Sequence, residues 1–228
     1  MTITVVFPYW QRQAALDRTL ASYREHYAAM DLEIVIVDDG SPEPATVPQS
    51  LPWPVVVERL PAKDNPLNPC VPINRGAAKT SHVLVLTNPE VTHPAPVFPE
   101  MYRQLLELGP SGYVMAAAWC PERGEWHCHS NVTTPQRQGI PQPEGAGLHF
   151  CAMLQRNLWE RSGGLDEAYR QGAGYEDNDF VLRLARVGAR FRIRDDLVVH
   201  HHKTGAVTQW LPGQHDRNRA LFFQKWTN

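Results

Sequence analysis

Hydrophobic and polar positions change period from one stretch of the chain to the next. Residues 2–7 form a β-branched run that stops at Pro8 and reads as a buried strand. Leu16, Leu20, Tyr23 and Tyr27 then recur at helical spacing. Residues 33–37 predict a second strand, closed by Asp38-Asp39-Gly40-Ser41, and the proline-rich residues 41–54 read as a connection. A third strand is expected over 55–60, a short helix over 72–80, and a fourth strand over 83–86, closed by Thr87-Asn88-Pro89-Glu90. Phe98, Met101, Leu105 and Leu108 mark another helix face, and 113–119 a fifth strand. Residues 120–146, rich in Pro, Gln, His and Gly, read as a loop or lid. Strand character returns over 147–154, followed by helices over 157–162 and 177–187 and short strands over 189–194 and 197–200. Strands alternating with helices imply an α/β fold with a mostly parallel central sheet and helices on both faces. Ligands of such sheets gather beyond the carboxyl ends of the strands. Pro8-Tyr9-Trp10, Asp38-Asp39 and Asn88-Pro89-Glu90 fall at those ends.

Composition adds limits. With 228 residues, 43% hydrophobic and 20% charged, the chain is an ordinary globular one, of one large domain or of one domain with an appendage. Twenty-two Lys and Arg against 24 Asp and Glu give a net charge of −2, which excludes a polycation that coats nucleic acid by charge alone. The charge is uneven. Residues 180–228 carry nine basic and three acidic side chains, and the remainder is acidic. No run approaches the ~18 apolar residues of a membrane-spanning helix. No basic segment precedes the first apolar run, so a signal peptide is not expected, and the four cysteines are expected as reduced thiols in a cytoplasm.

Four clusters carry candidate chemistry. Asp38-Asp39-Gly40-Ser41 offers a carboxylate to a base or ribose, or is simply a turn. Asn88-Pro89-Glu90, with His93 nearby, could ligate a divalent cation beside a diphosphate, or is a proline turn with an exposed acid. Glu176-Asp177-Asn178-Asp179 crowds carboxylates ahead of a helix. Capping and the helix dipole explain one or two of them, and mutual pKa elevation suits a general base. Asp179 and Arg183 stand at i, i+4 and can pair. In an extended His200-His201-His202, His200 and His202 face one way and His201 the other, so two imidazoles could bind a metal or a phosphate. The spacing of Cys120, His127, Cys128, His129 and Cys151 does not match a zinc site. Near the C-terminus, Trp210, His215, Arg217, Arg219, Phe222, Phe223, Lys225 and Trp226 mix cations with aromatics. They read as an amphipathic helix docked on the sheet with Leu221 and Phe222 inward, ahead of a grip on a polyanion.

In order and spacing, these stretches resemble the family 2 glycosyltransferases of GT-A fold. The resemblance runs from Val5–Arg12 and Ile34–Ser41 through Ile73–Lys79 and Val83–Glu90 to Gly163–Glu167 and Gly174–Phe180 with Arg183, so it spans about residues 2–202. It implies one GT-A domain over 1–228, with a nucleotide-binding half (1–119), an acceptor and catalytic half (120–202) and a C-terminal extension (203–228). It implies a nucleotide-diphospho-sugar donor bound by Pro8, Tyr9, Arg12, Asp38, Asp39, Asn74, Arg75, Lys79 and Asn88. Asn88-Pro89-Glu90 falls where the family has its Asp-x-Asp motif, with an amide in place of the first acid. A divalent cation, Mn2+ or Mg2+, is then expected on Glu90, completed by His200 and His202 or by His93. Glu176-Asp177 matches the family's Glu-Asp pair, with Asp177 as catalytic base of an inverting transfer. The acceptor would be a hydroxyl of a glycan or, second, of a hydroxymethylated base in phage DNA. Two other readings compete. A nucleotidyltransferase of related sheet is disfavoured because residues 8–13 hold no glycine for a phosphate loop, and a non-catalytic sugar-nucleotide or glycan-binding module is favoured slightly by the altered motif.

Overall fold

The β-branched runs pack together at the centre of a single sheet. A computed structural model of the chain describes residues 2–63, 68–80, 82–130, 132–133, 149–203 and 212–226. The strands are β1 (Ile3–Tyr9), β2 (Leu32–Asp38), β3 (Val55–Arg59), β4 (Val83–Thr87), β5 (Val91–Thr92), β6 (Gly112–Cys120), β7 (Glu125–His129), β8 (Val132–Thr133), β9 (Cys151–Gln155) and β10 (Arg190–His201). The helices are α1 (Gln13–Tyr27), α2 (Cys70–Ala77), α3 (Phe98–Leu108), α4 (Arg156–Ser162), α5 (Glu176–Arg186) and α6 (Gln214–Trp226). No described helix is long and apolar enough to cross a membrane.

Among the described residues the sheet runs β3-β2-β1-β4-β9-β6-β10-β5, with β7 and β8 continuing from β6. β1 pairs in parallel with both β2 and β4, and β3 adds to β2 in the same sense. This is the parallel sheet that the alternation of strands and helices predicts. β9 then enters antiparallel between β4 and β6, so the full sheet is mixed. The antiparallel half was less legible because β7 and β8 lie in a stretch of polar and aromatic residues that reads as loop. Residues 131 and 134–146 of that expected lid, residues 147–148 of the strand expected after it, and Trp210 lie outside the described residues. The two short strands expected near the C-terminal end are one strand, β10, with an irregularity between Arg194 and Val198.

Each face of the sheet carries its own core, as period-2 alternation requires. On one side Val5, Phe7, Ile34 and Ile36 pack with Leu16, Leu20, Tyr23 and Tyr27 of α1 and with Phe98, Met101 and Leu105 of α3. On the other, Val6, Val35 and Val37 pack with Ile73 and Ala77 of α2, and Leu154 with Leu158, Phe180 and Leu184 of α4 and α5. The C-terminal helix docks away from the sheet, which corrects the expectation. Phe222 is buried against Tyr169 and Tyr175, with Leu221 packed alongside. Lys225 Nζ reaches Asp166 Oδ2 (2.8 Å) and Asp179 Oδ1 (2.7 Å), and Trp226 Nε1 donates to Asp179 Oδ1 (2.8 Å). The expected Arg183–Asp179 pair is present at 2.7 Å, so Asp179 is committed to holding α5 and α6 together.

α2 lies so close to β1 that only hydrogen fits at Gly76. A Cβ there would stand 2.3 Å from Val6 Cγ1 and 3.4 Å from Val37 Cγ2. Gly76→Ala gains helix propensity worth up to about 1 kcal/mol but forces apart a packed helix–strand contact at a cost of about 1–3 kcal/mol. The clash wins. The variant should unfold at lower urea concentration than the wild type, and an equal or higher midpoint would show that the contact can relax.

Candidate active site

The parallel register of β1, β2 and β4 delivers three polar strand ends to one edge of the sheet. A cavity of about 250 Å³ opens there. Pro8, Tyr9, Trp10 and Arg12 come from the end of β1, Asp39 from β2, Asn88, Pro89 and Glu90 from β4, and Asn68 and Pro72 from the start of α2. Glu176, at the start of α5, completes the lining beside Asn68. A wider, shallower depression of about 700 Å³ lies between residues 167–171 and α6, but none of the cavity's acids reaches it.

The chain bends sharply to aim these side chains. Gln11 (φ 45°) and Tyr175 (φ 69°) are the described non-glycine residues with left-handed backbone, and each immediately precedes a cavity residue, Arg12 and Glu176. Such conformations cost of order 1–3 kcal/mol and persist where surrounding contacts impose them. Gln11 N donates to Ser41 Oγ (3.2 Å), and Tyr175 is packed against Phe222 and His215 of α6. The Asn88-Pro89-Glu90 turn is pinned at both ends. Thr19 of α1 donates to Pro89 O (2.6 Å), and His202 N donates to Glu90 O (3.0 Å).

The two adjacent aspartates divide their work. Asp38 is fully buried and accepts from Ser41 N (2.8 Å) and Ala45 N (3.1 Å), so it builds the turn. Asp39 lines the cavity and pairs with Lys63 at 2.5 Å. Burial raises the Asp39 carboxyl, and Lys63 opposes the rise only in part. Asp38, an expected donor-binding residue, is thus absent from the cavity lining, and three others lie elsewhere. Asn74 clasps Leu165 through its backbone N and O (2.9 Å each) and reaches Glu167 (3.1 Å). Arg75 is exposed near the far end of α2, and Lys79 pairs with Glu58 at 3.0 Å. In each case the chain's own groups satisfy the polar atoms or the helix carries them away from the cavity.

Glu90 is held by partners that the sequence pattern did not supply. Arg12 bonds its Oε1, and His201 Nε2 stands 3.6 Å from the same oxygen. Burial alone would raise this carboxyl, but the nearby His201 ring and the Arg12 charge outweigh burial and bring it down to about 2. Its second oxygen, Oε2, is buried and has no hydrogen-bond partner among the described residues. His201 Nδ1 meets His127 Nδ1 at 2.6 Å, so one ring donates and the other accepts. The alternation of β10 thus sends His201 to Glu90. His200 and His202 go to the other face, where His202 meets Thr92 and Glu122 (2.8 Å each). His93 is a core side chain. It bonds the Tyr27 hydroxyl at 2.5 Å and packs on Tyr23 and Phe98, and burial brings it down to about 3. The expected metal set of Glu90, His200, His202 and His93 is therefore not brought together. Among the described residues no three His, Cys, Asp or Glu side chains converge on a position for an ion. A hard dication takes six or more oxygens, and the one carboxylate on this wall is already bound to a guanidinium. These residues do not fit the cation.

The Glu176–Asp177 pair forms the remaining chemistry. Glu176 Oε2 accepts from Asn68 Nδ2 (2.6 Å), and Asn68 Oδ1 accepts from Cys70 N (3.1 Å) at the start of α2. Asn68 was missed in the sequence, although an Asn-Pro step ahead of a helix is a capping signal. Asp177 Oδ1 accepts from Asn178 N (2.7 Å), and the residue as a whole is partly exposed. Burial raises both carboxyls, and the Asp177 charge raises Glu176 further.

Glu176 is protonated more readily in the folded chain than in the unfolded one. The stability this confers is present below the unfolded value and is lost as pH rises through the raised folded value. Glu176→Gln removes that loss. Its thermal midpoint should fall less between pH 5 and pH 8 than that of the wild type. Parallel pH curves for the two proteins would mean that Glu176 titrates normally.

Comparison with known proteins follows the fold. No family model matches the chain, and no curated protein does. Among solved structures, the crystal structure of Staphylococcus aureus TarS, a GT-A-like glycosyltransferase, superposes over 99% of this chain with a TM-score of 0.65 at 13% identity. The crystal structure of S. aureus TarS 1-349 superposes over 89% with a TM-score of 0.66, also at 13% identity. The chain spans 43% and 60% of those two chains. The fold is thus a GT-A-like α/β fold, similar to that of a glycosyltransferase.

Proposed function

We propose that the chain is an inverting glycosyltransferase that moves a sugar from a nucleotide-diphospho-sugar to a hydroxyl acceptor. The observation that carries this reading is the raised carboxyl pair Glu176–Asp177 beside a cavity at the carboxyl ends of three parallel strands. The fold likeness to TarS supports the same class. In this reading residues 1–119 hold the donor and residues 120–202 supply the base.

Roles within the pair follow from its electrostatics. Glu176 carries both the burial penalty and the Asp177 charge, so the first proton rests on Glu176 and the negative charge on Asp177. Neutral Glu176, oriented by Asn68, faces the donor. Ionised Asp177, a partly exposed residue, takes the proton of the acceptor hydroxyl. The acceptor oxygen forms a bond to the anomeric carbon as the bond to the diphosphate breaks on the opposite side. The leaving electrons remain on the diphosphate. A module that only bound sugar-nucleotides would gain nothing from a carboxyl held above its ordinary range. The acceptor is proposed as a glycan first. A hydroxymethylated DNA base is the second choice, supported by exposed Arg217 and Arg219 on α6.

The test is release of nucleoside diphosphate from a panel of donors offered glycan or hydroxymethylated DNA. Asp177→Asn should lower turnover by about 10²–10⁴-fold, the usual worth of a general base, with nucleotide binding retained because Asp177 lies outside the cavity lining. Glu176→Gln mimics the protonated acid and should remain active while losing the alkaline limb of the pH profile. Unchanged turnover in Asp177→Asn would refute the base. Binding without turnover on any donor would favour the non-catalytic module.

A further inference from the structure

We infer that Arg12, set in place by Glu90 and His201, holds the diphosphate of the donor where a divalent cation was expected, so that donor binding needs no metal ion. This rests on the transferase reading. Three observations carry it.

The acids around the cavity are already engaged by the protein. Asp39 has Lys63, Glu176 has Asn68, and Glu90 has Arg12 with His201 close by. The neighbouring Asn88 contributes a neutral amide. A dication placed on Glu90 would have to displace the guanidinium and then find most of its ligands in water.

Arg12 is built into the wall. Left-handed Gln11 turns the chain toward the cavity, and Arg12 O accepts from Ala15 N (3.0 Å) and Leu16 N (2.9 Å) at the start of α1. Its partner Glu90 is pinned by Thr19 and His202. The bond to Glu90 uses Nη1, and 24% of the Arg12 side chain stays accessible. A planar fork with further donors suits a phosphate better than a point charge does.

Among the described residues Oε2 of Glu90 is buried with no hydrogen-bond partner, an unsatisfied group within the cavity wall. With that oxygen closed to solvent, the group this wall offers a ligand is the accessible part of Arg12, which takes an anionic oxygen such as that of a sugar diphosphate.

The experiment is calorimetric titration of the wild type with UDP, GDP, CDP, ADP and dTDP, each with excess EDTA and with MnCl2. At least one should bind in EDTA within about threefold of its affinity in manganese. Arg12→Ala should weaken that binding by roughly ten- to a hundredfold, the worth of a lost charge-assisted hydrogen bond. Arg12→Lys, which keeps the charge and loses the fork, should recover part of the loss with an unchanged circular dichroism spectrum. Binding that requires manganese would overturn the inference and leave the transferase reading standing. Binding in EDTA that Arg12→Ala does not weaken would overturn the role of Arg12. No binding in either condition would overturn both readings.

Discussion

β1 is paired in parallel on both of its edges, and that double pairing decides where the polar ends of the neighbouring strands go. Tyr9 stands opposite Asp38, and Val6 opposite Leu86, so the residues that follow β1, β2 and β4 emerge on one side of the sheet. Each of the three strands is buried on both faces, which leaves its end as the first place where polar groups can meet water. The cavity is a consequence of register. A slip of one residue in β1 would exchange Val5 and Phe7 for Val6 between the two cores and turn Tyr9 away from Asp39.

The cavity is also where the fold accepts unfavourable conformations. Left-handed Gln11 and Tyr175, a carboxylate oxygen on Glu90 with no partner among the described residues, and the raised carboxyls of Asp39, Glu176 and Asp177 lie within one small region. Each lowers stability, and each is imposed by well-packed neighbours: the Asp38 turn under Gln11, the aromatic cluster under Tyr175, and the α1 side chains behind Glu90. Sites that must present unsatisfied groups to a ligand concentrate such strain.

The parallel half of the fold was legible because its strands are short apolar runs bounded by Pro, Asp and Gly. The insertion of β9 between β4 and β6 was not, since pairing direction leaves no mark in the hydrophobic pattern of a strand buried on both faces. At the site, residue types at strand ends were legible, and Pro8, Tyr9, Arg12, Asp39, Asn88, Glu90 and Glu176 do meet. What failed was partner choice. The period of 2 correctly separates His201 from His200 and His202, but which face meets Glu90 depends on how β10 lies against β5, a tertiary fact. Asn74 and Lys79 have the right chemistry for a donor site, and Leu165 and Glu58 use it first. Asn68, Lys63 and His127 depend on contacts distant in sequence.

The C-terminal helix makes the carboxyl pair a shared property of two distant segments. Phe222 supports Tyr175, the residue that sets Glu176, while Lys225 and Trp226 both reach Asp179 two positions beyond Asp177. Fraying of α6 would release Tyr175 from its left-handed conformation and loosen the first turn of α5 without touching either sheet core. Local opening of α6 would then silence the site while both sheet cores stay packed, so loss of function and loss of the sheet become separable events.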